Sequence, residues 1–168
     1  MGHNTTQEAL LMRWAELCAD PWWDDIPAKV ELNGRGVIEM SPANNRHGMM
    51  QMTVGSALGD QLPSGTVIIE CCVLTKDGVR VPDVAWTSAE FMSRHGEDSP
   101  FPRAPEICVE VRSPSNTNEE MAYKTELFLA AGAIEVWIVS QSGEAQFFDA
   151  TGRIEKSRFA VTLPPAAP

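Results

Sequence analysis

The chain is short of positive charge: 13 Lys and Arg stand against 23 Asp and Glu, for a formal net charge of −10. Proteins that hold nucleic acid through its phosphates usually carry a basic stripe, so this balance argues against a general nucleic-acid binder. Any affinity for DNA is expected to be weak and salt-sensitive. Acids gathered around a divalent cation are the exception, because the ion then presents positive charge to a phosphate. No apolar run approaches the roughly 18 residues of a membrane span, and Met1 to Thr6 lacks the basic and apolar regions of a secretory signal. Cys18, Cys71, Cys72 and Cys108 show no paired metal-ligand spacing, and adjacent Cys71 and Cys72 should face opposite ways on a strand. These shortages point to a soluble, reduced, cytoplasmic protein with no membrane association. There is no internal repeat and no low-complexity tract. The 168 residues suit one domain spanning 1–168, with its core at about 30–140 and a tail at 164–168.

What is present is a set of charges where apolar residues belong. In Pro105 to Arg112, Ile107, Val109 and Val111 share one face of a strand, while Cys108, Glu110 and Arg112 share the other. Glu110 therefore sits deep in a strand. Gly78 to Trp86 reads as a neighbouring strand with Val79, Val81, Asp83 and Ala85 on one side. Two carboxylates on adjacent strands can converge on one cation. Thr117-Asn118-Glu119-Glu120 has the spacing of a capping box, and Met121, Lys124, Phe128 and Ala131 then recur at helical steps. Lys124 thus takes a slot on the apolar stripe, and the short Ser113-Pro114-Ser115-Asn116 link brings that helix back beside Glu110. Buried charges cost several kcal/mol unless they are paired or metal-bound.

The rest of the chain supplies the frame. Thr6 to Ala19 predicts a helix, Val30 to Met40 a hairpin about Asn33-Gly34, and His47 to Gln61 a second helix. One strand is expected near Thr66 to Leu74, another at Ile134 to Val139 after Gly132, and a closing hairpin about Thr151-Gly152. Thr87 to Arg103, rich in polar residues with Gly96, Pro100 and Pro102, reads as the longest irregular segment and a mobile flap. The layout is α/β: helix, three strands, helix, strand, giving a mixed sheet flanked by helices behind an N-terminal helix and hairpin.

Several motifs in this order carry a resemblance. Gly36-Val37-Ile38-Glu39-Met40-Ser41-Pro42, His47-Gly48, Arg80-Val81-Pro82-Asp83-Val84, Pro105 to Ser115, Lys124 and Gly132 to Trp137 resemble the Uma family of endonucleases. That family lies within the restriction-endonuclease-like superfamily, which carries the PD-(D/E)XK signature. The resemblance spans roughly Val30 to Val139. It implies a restriction-endonuclease-like core and a Mg²⁺- or Mn²⁺-dependent endonuclease that hydrolyses DNA phosphodiester bonds, acting as a homodimer. In that reading Asp83 and Glu110 hold the metal, the carbonyl of Val111 completes the cage, and Glu39 supports or extends it. Lys124 orients or deprotonates the attacking water, and Arg80, Arg112 and His47 contact substrate. Arg112 departs from the signature, which has lysine there; arginine stays protonated and can clamp a phosphate but not act as a base.

Plainer readings stand beside these. Asp83 can cap a turn next to Pro82, Glu110 can pair with Lys124 or Arg112 without chemistry, and Lys124 can snorkel to solvent. Glu39 can be an ordinary hairpin residue and His47 a polar helix start. Two other functions therefore remain open: a non-catalytic domain whose acidic surface binds a protein partner, and hydrolysis of a smaller phosphate ester.

Overall fold

The computed structural model describes residues 5–165. Residues 1–4, part of the segment read for a secretory signal, and 166–168 of the expected tail lie outside the described residues. Thr6 caps α1 (Gln7–Ala19) by accepting the Ala9 N–H at 3.2 Å, and the helix buries Leu10, Trp14 and Leu17. Pro21–Asp25 forms a short 3₁₀ turn. The hairpin follows as β1 (Ala28–Leu32) and β2 (Ile38–Pro42), and Asn44 then caps α2 (Asn45–Gln61).

The next four strands correct the sequence reading. The expected strand near Thr66 to Leu74 is two, β3 (Gly65–Ile69) and β4 (Val73–Thr75). The expected strand Gly78 to Trp86 is also two, β5 (Gly78–Arg80) and β6 (Val84–Ser88). β4 pairs with β5 in one sheet and β3 with β6 in another. A single two-stranded ribbon therefore bends from the first sheet into the second. Pro82 forces one break, since it has no N–H to give to a ladder. The other break lies at Glu70, which adopts a left-handed backbone (φ 56°) that non-glycine residues rarely take.

Ser88 ends β6 and caps α3 (Ala89–His95), accepting the Phe91 N–H at 3.1 Å. Thr87 to Arg103 is therefore not a flap. Phe91 and Phe101 pack edge to face at 5.2 Å in the core and anchor the segment. β7 (Ile107–Arg112) leads into α4 (Asn118–Ala130), whose capping box between Thr117 and Glu120 forms as expected. β8 (Glu135–Ser140), β9 (Ala145–Asp149) and β10 (Gly152–Ile154) complete the order.

The larger sheet runs β10-β9-β8-β7-β6-β3 and the smaller β2-β1-β5-β4. Within the larger sheet β7 and β8 are parallel, joined by α4 as a crossover, and the other neighbours are antiparallel. The alternation in β7 sorts the core. Ile107, Val109 and Val111 join Met50, Val54 and Leu58 of α2 on one face, and Cys108 joins Met121 and Phe128 of α4 on the other. α1 covers the smaller sheet through Trp14, Leu17, Leu32, Val79 and Val81. Cys71 points into the α4 side of the core and Cys72 towards the α1 side, so the pair diverges as expected, although it sits in the bend of the ribbon. All four cysteines are free. No helix among the described residues is long and apolar enough to cross a membrane.

A final segment straps the α2 face. Glu135 is fully buried, and its carboxylate accepts from Trp137 Nε1 (2.8 Å), Ser157 Oγ (2.7 Å) and the Arg158 N–H (2.7 Å). Phe159, Val161 and Leu163 then pack on the core, and Gln61 of α2 holds Thr162 through two hydrogen bonds.

The antiparallel pairing of β1 with β5 leaves no room for a side chain at Gly78. Its φ is +91°, and a Cβ there would stand 1.9 Å from the Leu32 carbonyl oxygen. Gly78→Ala is expected to lower stability by more than about 2 kcal/mol, since strain and a backbone clash act together. Thermal or urea unfolding checks this, and a loss within about 0.5 kcal/mol, typical of an open surface site, would contradict it.

Candidate active site

The ladder that pairs Val84 with Val109 stops one residue short of Asp83, which therefore lies across from Glu110. Both acids are buried, at 0% and 3% exposure. They meet at the seam where β6 leaves the larger sheet, beside the hairpin of the smaller one. Asp83 Oδ2 accepts the Val111 N–H at 2.7 Å. Its Oδ1 lies 2.8 Å from Lys29 Nζ on β1 and 3.1 Å from His47 Nε2 on α2. Glu110 Oε2 lies 3.3 Å from Lys124 Nζ and 3.7 Å from Lys29 Nζ. Glu110 Oε1 is buried without a hydrogen-bond partner.

Lys124 reaches inward from α4 between two acids, Glu110 and Glu31, with its Nζ 3.3 Å from an oxygen of each. Glu31 is 5% exposed on β1 and accepts the Val81 N–H at 2.8 Å, a donor freed where the ribbon bends. Around this centre opens a cleft of about 820 Å³. Lys29, His47, Gln51, Glu70, Asp83, Glu110 and Lys124 contribute to its lining. Gln51 Nε2 donates to Glu70 Oε1 (3.1 Å) and to the Asp83 carbonyl (3.2 Å), tying α2 to the bend.

Of the residues singled out in the sequence, Asp83, Glu110, Lys124, Val111 and His47 come together here. Val111 contributes its N–H to Asp83. Three others stand apart. Glu39 is directly across the hairpin from Glu31, but its half-exposed side chain takes hydrogen bonds from Arg80 (2.6 Å) and Asn33 (3.0 Å) and does not line the cleft. Arg80 is 6% exposed, with its donors committed to Asp77 and Glu39. It braces the hairpin and has no free face for a substrate. Arg112 turns to the Asn116 carbonyl at 3.3 Å, also outside the cleft lining. Lys29 and Glu31 were missed. Their signal was an alternation in Lys29-Val30-Glu31-Leu32 that puts two charges on one face of a hairpin strand.

Electrostatics sorts the acids. Burial pushes the Glu110 carboxyl up to about 7, against the pull of Lys124 and Lys29. Burial also opposes ionisation of Asp83, but the His47 hydrogen bond and the Lys29 and His47 charges outweigh it and hold this carboxyl well below the usual range. Glu31 is likewise lowered: burial opposes, and Lys124, Lys29, the Val81 N–H and Arg80 prevail. The hydrogen bond to Asp83 raises His47 despite burial.

A mixed six-stranded sheet between helices, with two buried acids meeting at its seam and a lysine delivered by the crossover helix, defines a restriction-endonuclease-like protein. A crystal structure of a putative nuclease belonging to DUF820, from Anabaena variabilis ATCC 29413, has this fold. It matches with a TM-score of 0.59 and 17% identity over 78% of this chain and 83% of that one. No curated protein matches the chain. The chain belongs to the Uma2 family, described as "Putative restriction endonuclease", whose profile matches residues 15–157. The family expected from the motifs is the one found.

The shifts fix how the metal-free protein responds to pH. Glu110 binds more protons folded than unfolded between its ordinary value of 4.5 and about 7, so its contribution falls as pH rises through that window. His47, raised from 6.5, adds stability below that value and loses it as pH climbs through the folded value. Asp83 acts oppositely and costs stability as pH falls below 3.8. In EDTA the melting temperature is expected to peak at mildly acidic pH and to decline towards pH 8. Glu110→Gln should remove most of that decline, worth a few kcal/mol at most, and match wild type near pH 5. Parallel pH profiles of the two proteins would contradict the assignment.

Proposed function

We propose that this chain is a divalent-metal-dependent endonuclease that hydrolyses DNA phosphodiester bonds, with Asp83 and Glu110 as the metal-holding acids. The observation that carries the reading is Glu110 Oε1, a buried carboxylate oxygen with no protein partner, beside a second buried acid in an open cleft. An orphaned carboxylate oxygen in a protein interior is costly, and a bound cation satisfies it. Among the described residues no three His, Cys, Asp or Glu side chains converge on one point. Two carboxylates nevertheless suit Mg²⁺ or Mn²⁺, which keeps several waters and needs few protein ligands. Such an ion, when bound, supplies charge neutralisation at the phosphate and a more acidic water.

The protein side of the chemistry falls to three groups. The Val111 N–H fixes the Asp83 carboxylate through Oδ2, while Oδ1 is shared by Lys29 and His47. Lys124, steadied between Glu31 and Glu110, presents its ammonium to orient an attacking water or the phosphate. His47, whose protonated form is favoured by its contact with Asp83, stands at the start of α2 on the cleft wall, where it can donate to a phosphate oxygen. The net charge of −10 keeps DNA affinity weak, and it favours one second reading, hydrolysis of a smaller phosphate ester in the same cleft.

Cleavage of supercoiled and single-stranded DNA at low salt with Mn²⁺ tests this. Folded Glu110→Ala and Lys124→Ala variants are each expected to lose about 10²-fold or more in rate, the usual scale for a positioned catalytic group. Equal cleavage by all three proteins would identify a contaminant. Failure of the wild type on DNA, with turnover of a small phosphodiester such as bis-p-nitrophenyl phosphate, would move the assignment to the smaller substrate.

A further inference from the structure

Lys29 occupies an unusual place for a lysine. A flexible four-carbon stem normally carries its ammonium out to water, and burying that charge is costly unless anions surround it. Here the side chain is 9% exposed, and its Nζ stands between the two acids, 2.8 Å from Asp83 Oδ1 and 3.7 Å from Glu110 Oε2. The other two oxygens make no contact with Lys29. Asp83 Oδ2 is held by the Val111 N–H, and Glu110 Oε1 touches no protein donor. Lys124 is placed differently, since its partners are Glu31 and Glu110. Among the described residues Lys29 alone spans Asp83 and Glu110, the two acids that would hold a shared ion. An ammonium and a divalent cation cannot both sit there, because they repel each other at contact distance in a poorly solvated site.

We propose that Lys29 is a positioning residue that fills the cation seat of the unloaded protein and competes with the divalent ion for Asp83 and Glu110, thereby setting the ion's affinity. The inference rests on the metal-dependent reading above. It follows from the geometry that Lys29 has two duties. Without an ion it holds two buried acids together; when an ion arrives it must withdraw. Its side chain lines the cleft, so the withdrawing ammonium has an outlet into solvent-accessible space, where an anionic substrate can meet it.

Calorimetric titration with Mn²⁺, alongside thermal melts in EDTA and in saturating Mn²⁺, separates the possibilities for wild type, Lys29→Met, Lys29→Gln and Lys29→Arg. The two neutral variants are expected to bind Mn²⁺ about tenfold more tightly, the size of one charge-assisted hydrogen bond removed from the competition. They should melt lower than wild type in EDTA, with the gap closing in Mn²⁺. Lys29→Arg, which keeps the charge, should bind no more tightly than wild type. Should Lys29→Met not fold, Lys29→Gln, which keeps hydrogen-bonding capacity, carries the comparison. Wild type that binds Mn²⁺ while the neutral variants bind equally or more weakly would overturn the inference and leave the metal reading intact. Absence of Mn²⁺ binding in every protein would overturn both.

Discussion

Everything near the cleft depends on keeping three carboxylates inside a protein interior. Asp83, Glu110 and Glu31 are each at most 5% exposed, and isolated anions there would cost several kcal/mol apiece. The fold meets that cost with main-chain donors and long cationic side chains drawn from separate elements. Val81 and Val111 give N–H groups; Lys29 comes from the hairpin, Lys124 from the crossover helix, and His47 from the helix before the ribbon. No single element carries both an acid and its full set of partners. The site can exist only when both sheets and two helices are in place, which couples tertiary assembly to charge compensation.

The bend of the ribbon is what makes this possible. If β3 continued into β4 and β5 into β6 as flat strands, Val81 would spend its N–H on a neighbouring strand and Asp83 would sit within a ladder. Pro82 and the left-handed Glu70 interrupt both strands at the same level. The interruption frees the Val81 amide for Glu31 and places Asp83 at a strand end facing Glu110. Backbone irregularity at this point is therefore tied to the polar centre, as is common where a fold concentrates its strained residues.

Much of this was legible in the sequence. Strict alternation in β7 marked Glu110 as inward-facing, and helical spacing in α4 marked Lys124; both are patterns internal to one element. The capping box and the Asn-Gly hairpin were legible for the same reason. What could not be read was pairing across elements. Nothing local says that Glu31 rather than Glu39 reaches the centre, since the two face each other across the hairpin and only the position of β5 decides between them. Lys29 was hidden similarly, because its partner Asp83 lies 54 residues away in sequence. Pro82 was a visible warning against one continuous strand, and the Thr87 to Arg103 segment was misjudged because two phenylalanines outweighed its polar composition.

The strap over the α2 face bears on the order in which a nascent chain can mature. Asp83, Glu110 and Lys124 are synthesised well before Ser157 and Arg158, yet β8 at the centre of the sheet contains a fully buried Glu135 whose partners include those two residues. A chain that ends after β8 would possess every polar group of the cleft, while Glu135 would have only the Trp137 indole of its three donors. Ser157 and Arg158 supply the other two donors, so a polar cluster at the centre of the sheet is completed by a segment that follows every strand of that sheet in the chain.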